Sequence, residues 1–188
     1  MFGGLHIEIA MFRTIGDWLE GSGWTTAIHS AGIATAGVAD SLTKVSHLTR
    51  TRHAHQVTSA ALFELRHQMY ETYKASMPDS EETLDFTSWS EKMAVDQPQF
   101  LYWSSVLEME LCILKLVRAI REANYEEYIQ TLVQLMPWLF SLDHINYSSW
   151  LSVHIRDLCS LPERHPEWTM SLSLESLWLG SPIGYSLQ

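Results

Sequence analysis

Apolar residues recur every three to four positions along most of this chain, and glycine or proline breaks the pattern before another period can start. Residues 100–122 carry the signal most strongly. Trp103, Leu107, Leu111, Leu114 and Val117 form a stripe there, and that spacing puts them on one side of an α-helix. Lys115, Arg118 and Arg121 follow toward its end, where the helix dipole favours cations. No run alternates with period two between turn residues, so no β-hairpin is predicted. No internal repeat is evident either. The expected fold class is mainly α, a multi-helix bundle of six or seven helices.

The breakers divide the rest. Residues 5–20 read as a helix with Leu5, Ile9, Phe12, Ile15 and Leu19 on its apolar face, stopped by Gly21-Ser22-Gly23. A short helix over 24–30 ends near Gly32, and 34–37 is a small-residue linker. Helix is predicted over 40–48 and again over 50–75, where Val57, Ala61, Leu65 and Met69 recur at four-residue spacing. Met77-Pro78 ends it, since proline cannot continue the hydrogen-bond ladder. The acidic stretch to Asp96 holds a Ser88/Glu91 spacing that would cap a helix of one or two turns. Asn124 and Glu127 form a second such box, ahead of a helix over 125–142 with Tyr128, Leu132, Leu135 and Leu139 aligned and a kink expected at Pro137. Residues 145–158 align Trp150, His154 and Leu158. The Leu161-Pro162 and His165-Pro166 stretch closes this helix. Residues 1–166 are thus expected to form a helical domain, whole or partial, and 167–188 an irregular tail.

Composition narrows the function classes. Twenty-two acidic against 12 basic residues give a net charge of −10, which repels a phosphate backbone on average. Two cysteines, Cys112 and Cys159, make neither a disulfide framework nor a Cys-x-x-Cys zinc motif. The start lacks a basic region followed by an apolar stretch. The most apolar run, 111–117, is interrupted by Lys115 and is too short for a bilayer. A nuclear or cytoplasmic location away from membranes is expected.

The densest positive segment runs from Lys44 through Arg50, Arg52 and His53 to His55. Lys44, Arg50, Arg52 and His53 are candidate nucleic-acid contacts, with His55 secondary. The competing reading is a solvated helix start that pairs with acidic neighbours, because no aromatic platform interleaves the charges. His53 and His55 stand two apart, as do Glu108 and Glu110, and His6 and Glu8. Residues two apart diverge on a helix and do not chelate one ion. Asp143 reads as a cap for the helix after it. His154 reads as a buried, hydrogen-bonded histidine, with acid–base work beside Asp143 the competing role. No phosphate loop or nucleophile elbow is present, and Cys112 falls within an apolar stripe. No catalytic residue, metal ligand or cofactor site is assigned.

Several stretches together carry a family resemblance: Gly3-Gly4-Leu5-His6, the run Gly16 to Trp24, the run Leu48 to Val57, and the run Leu142 to Asp157 with Asp143-His144-Ile145-Asn146-Tyr147 inside it. In these the chain resembles an uncharacterised multicopy family of eukaryotic proteins borne by transposons, whose longer members look like RNase-H-fold, metal-dependent transposases. The resemblance implies a helical insertion or fragment of a larger RNase-H-like α/β protein. Its two catalytic acids, which would hold Mg or Mn around a phosphodiester, would lie outside this stretch. His6, Asp143, His144, Asn146 and Tyr147 match family motifs without a known role. The chain is therefore expected to be no enzyme by itself, with DNA as a candidate partner. The alternative is an all-helical protein-interaction module with no nucleic-acid role.

Overall fold

A computed structural model describes residues 3–78 and 83–164, and every regular element among them is an α-helix. In chain order these are α1 (Gly4–Leu19), α2 (Trp24–Ser30), α3 (Ala36–Thr43), α4 (Leu48–Ser76), α5 (Phe86–Asp96), α6 (Pro98–Arg121), α7 (Tyr125–Ser141) and α8 (Ile145–Arg164). That is eight helices among the described residues, one above the expected range. The predicted tail, 167–188, lies outside them.

The helix expected over 40–48 is divided, α3 ending at Thr43 and α4 starting at Leu48, and three further boundaries differ from the sequence reading, each for a local reason. α5 is a full 11 residues. Its cap is Asp85, whose carboxylate accepts from Ser88 N–H at 3.0 Å, in place of the Ser88/Glu91 box. α3 starts inside the expected linker, where Thr35 carbonyl accepts from Ala39 N–H at 2.8 Å, and its other end lies close to α1, Thr43 carbonyl against Gly16. α8 runs on past Pro162 to Arg164. Proline has no N–H for the carbonyl four residues earlier; here that carbonyl belongs to Leu158, and Tyr125 Oη donates to it at 2.7 Å. The tyrosine stands in for the missing backbone donor. Tyr125→Phe is expected to cost about 1–2 kcal/mol and to speed amide exchange in the last turn of α8. Unchanged exchange there would show that Pro162 needs no such partner.

Helix α6 is the axis of the bundle and packs against α1, α4, α5 and α7. It enters with Pro98 at its first turn, where the missing N–H costs nothing. Val106, Met109, Ile113, Leu116 and Ile120 are buried, whereas Leu111 of the predicted stripe is 39% exposed. A helix surrounded on several sides buries a broad arc, and the single stripe missed its centre. α1 behaves similarly: Ile7, Met11, Phe12, Ile15 and Leu19 are buried while Leu5 faces out. α7 seats Tyr128, Leu132, Leu135 and Leu139 as its pattern foretells, and Asn124 caps it by accepting from Glu127 N–H at 3.1 Å. α8 covers α7 with Leu151, His154 and Leu158.

Candidate functional site

The halves of α4 have different fates. Its buried residues, Thr51, Ala54, His55, Thr58 and Ser59, all belong to the first half. Beyond Ser59 the apolar row continues without a matching cover: Leu65 is 55% exposed and Met69 43%. The row Val57, Ala61, Leu65 and Met69, which the spacing makes a core face, instead lines an open groove of about 720 Å³. The opposite walls are Trp24, Ile28 and Ile33 beside α2, and Met93, Phe100, Trp103 and Leu107 from α5 and α6.

An aromatic cluster holds the far end of this groove open. Trp89 of α5 is buried, and its ring lies 5.2 Å from Tyr70 and 5.4 Å from Phe100. Tyr70 Oη donates to Leu84 carbonyl at 2.9 Å, so the segment entering α5 is tied to α4. Arg66 is the one charged side chain on the groove lining among the described residues. Its guanidinium carbon sits 5.2 Å from the Phe86 ring centroid. Its Nε is buried and has no hydrogen-bond partner among the described residues.

Behind the Trp24 wall lies a layer of buried polar groups. Trp24 Nε1 donates to Thr58 Oγ1 at 2.8 Å, and Thr58 Oγ1 donates to Ala54 carbonyl. The His55 ring is sandwiched between Trp24, at 5.1 Å, and Phe12, at 5.0 Å. His55 Nδ1 and Glu110 Oε1 share a hydrogen bond of 2.7 Å, both side chains wholly buried. Burial pushes the Glu110 carboxyl above its ordinary value of 4.5, with His55 opposing. The folded chain therefore keeps that proton at pH values where the unfolded chain has released it. The stability this contributes is complete below the unfolded value and is lost as pH rises through the raised folded one. Denaturant midpoints measured between about pH 4 and pH 8 are expected to fall across this window, and Glu110→Gln to remove that component. An equal fall in the Gln variant would assign the slope to other groups.

The predicted nucleic-acid contacts separate. Lys44, at the end of α3, and Arg50 and His53 of α4 are exposed. Arg52 is not available. Its guanidinium forks onto Glu8 of α1, Nη2 donating to Oε2 at 2.6 Å and Nε to Oε1. His55, the secondary phosphate candidate, is buried as described above; residues two apart do diverge, and the α1–α6 side took His55 inward. The acidic-neighbour reading thus holds for Arg52.

The motif residues of the Asp143 stretch meet α1 at two places. His6 and Tyr147 line the same cavity of about 30 Å³, between α1 and the start of α8. That is space for a water molecule. His144 Nε2 is 3.5 Å from Asp17 Oδ2, and Asn146 is exposed. Asp143 does not cap α8. It closes α7 in the left-handed conformation, φ 59, and the first turn of α8 hangs on His144 carbonyl, which accepts from Ser148 N–H at 3.0 Å. The three-residue connection, Leu142 to His144, makes such a reversal, and aspartate tolerates it better than most residues. Asp143 and His154 therefore share no helix face. His154 is buried, stacked on Trp150 at 4.8 Å and 3.3 Å from Tyr128 Oη. Burial depresses its pKa, which keeps the imidazole neutral.

Among the described residues no group of three or more His, Cys, Asp or Glu is gathered to hold a metal ion, and no helix is long and apolar enough to cross a membrane. Burial raises the Cys112 thiol, which makes it a poor nucleophile. Among the features that escaped the sequence reading are the Glu8–Arg52 pair, 44 residues apart, the His55–Glu110 pair, 55 residues apart, and the groove. The spacing marked the groove's α4 row as apolar but not as uncovered, because no local pattern tells whether another helix packs over it.

No curated protein and no solved structure matches the chain. A family model described as a domain of unknown function, DUF8702, matches residues 79–178, more than half of the chain, from the approach to α5 through α8 and beyond Arg164. The chain belongs to the DUF8702 family.

Proposed function

We propose that this chain is a helical protein-interaction module, and that its groove between α2, α4, α5 and α6 takes the apolar face of a helix from a partner protein. The observation that carries this reading is the second half of α4, a long helix that leaves Leu65 and Met69 uncovered over an apolar groove of about 720 Å³. Exposed contiguous apolar surface of this kind marks interaction sites, and a helix seated in a groove is a recurring mode of peptide recognition. From Val57 to Met69 the wall is about 18 Å long. A helix of that length and about 10 Å in diameter occupies on the order of 1,400 Å³, so the groove would take half of it, its apolar side.

The test is amide exchange with and without a 14-residue helical peptide carrying leucines at i, i+3, i+4 and i+7. Protection is expected along the second half of α4 and the first turns of α6, and Ala61→Glu is expected to abolish it. Protection elsewhere, or binding indifferent to Ala61→Glu, would refute the reading.

A second reading rests on the exposed row Lys44, Arg50 and His53: DNA contact by a helical insertion of a larger RNase-H-like, transposon-derived protein. It calls for binding at low salt that weakens with ionic strength and further with Lys44→Ala plus Arg50→Ala. Either role would be played in the nucleus or cytoplasm.

A further inference from the structure

We infer that the helix seated in this groove is an acidic one, and that Arg66 selects it by binding a single carboxylate on its apolar margin. This rests on the interaction reading above and specifies its partner. The chain carries a net charge of −10, yet the one charged side chain on the groove lining among the described residues is a cation. Acidic residues are abundant in the chain, but among the described residues none lines this groove to meet it. Arg66 belongs to no ion pair among the described residues, its Nε is buried, and that atom has no hydrogen-bond partner among them. A carboxylate arriving with a ligand adds a charge-assisted bond to this guanidinium, otherwise unpaired among the described residues.

The guanidinium is also held in place before any partner arrives. It lies 5.2 Å from the centroid of the Phe86 ring, an arrangement arginine favours for its flat, weakly hydrated head. Phe86 in turn packs edge-on to Tyr70 at 5.2 Å. The anion-binding group is therefore pinned between α4 and α5, with Leu62 and Met69 one turn away on either side along the groove wall. An incoming helix meets apolar surface along its length and a fixed cation near the α5 end. A lysine on that margin would face Arg66 across a low-dielectric groove and be repelled.

The experiment uses the full chain and a series of fluorescein-labelled 14-residue helical peptides with one constant leucine stripe. One glutamate is moved through the positions that flank the stripe, and the best position is remade with glutamine and with lysine. Anisotropy is expected to give a glutamate peptide bound about tenfold tighter than its glutamine twin, the worth of one charge-assisted hydrogen bond, with the lysine twin weaker still. Arg66→Met is expected to erase the glutamate preference, so that the glutamate and glutamine peptides bind equally. Arg66→Lys should keep a smaller preference, and Arg66→Glu should favour the lysine peptide. Circular dichroism of each variant establishes that the fold is retained. If all three peptides bind the wild type equally, the acidic-partner inference falls and the groove reading stands. A preference that survives Arg66→Met also overturns the inference. If no peptide binds, both readings fall, and saturable binding of dodecanoate in that case would identify a small amphiphile as the occupant.

Discussion

Arg52→Ala is expected to lower the unfolding free energy by about 3 kcal/mol, whereas Arg50→Ala leaves it within about 0.5 kcal/mol. The two arginines look equivalent in sequence. Their difference comes from Glu8, whose side chain is 1% exposed while Arg52 retains 19%. Removing the guanidinium leaves a carboxylate enclosed between α1 and α4 with neither of the N–H donors it held. An uncompensated buried charge is among the most destabilising single changes, about 3–5 kcal/mol, and the partial exposure of Arg52 puts this case at the lower end. The effect should be asymmetric. Glu8→Gln keeps an acceptor for the guanidinium and lets Arg52 turn its charge outward, so a loss of only about 1–2 kcal/mol is expected. Urea unfolding of the three variants, followed by far-ultraviolet circular dichroism, checks all of this. A mild Arg52→Ala would mean that Glu8 is not enclosed. The result also bears on the DNA reading: a binding defect in Arg52→Ala would report lost structure, so a test of phosphate contact belongs with Lys44, Arg50 and His53.

The pattern of helices was legible in the sequence because breakers and caps act locally. Gly21 and Gly23, Pro78, Pro98 and the Asn124/Glu127 box each decide an element end from a few neighbouring residues, and the structure keeps those ends. What misled was any feature whose partner lies far along the chain. Pro162 reads as a terminator until Tyr125, 33 residues away, supplies the missing donor. Glu110 reads as half of a divergent surface pair, yet it is buried against His55, 55 residues earlier. The α4 row from Val57 to Met69 has the spacing of a core face, and spacing cannot say whether another helix arrives to cover it. The candidate site was therefore half visible: its residues were marked as apolar, but not as uncovered. Arg66 carried no signal, since its meaning comes from Phe86 and from the lack of an acid on the same lining among the described residues.

Gly16 gives the second large effect, and here local propensity and packing predict opposite signs. It lies in the last turn of α1, still at a helical position. A glycine in a helix interior costs about 1 kcal/mol relative to alanine, so on propensity alone Gly16→Ala should stabilise. A Cβ placed there would stand 2.3 Å from the carbonyl oxygen of Thr43 and 3.0 Å from its carbonyl carbon and Cα. These are backbone atoms at the end of α3 and cannot swing aside as a side-chain tip would. Relief requires moving α3, which seats Ala39 and Leu42 at 1% and 2% exposure. Overpacking of this kind costs about 1–3 kcal/mol and sometimes more, so a net loss of about 2–3 kcal/mol is expected. Gly37 is the control. It lies within α3, and a Cβ there meets nothing within 4 Å; Gly37→Ala is expected to gain a few tenths of a kcal/mol to about 1 kcal/mol. Thermal melts separate the two, since about 1 kcal/mol shifts Tm by roughly 2–4 °C in a chain of this size. A Gly16→Ala variant that melts higher than wild type would mean that α1 and α3 do not approach this closely. The covering of Ile15 and the seat of Ala39 and Leu42 would then need another explanation.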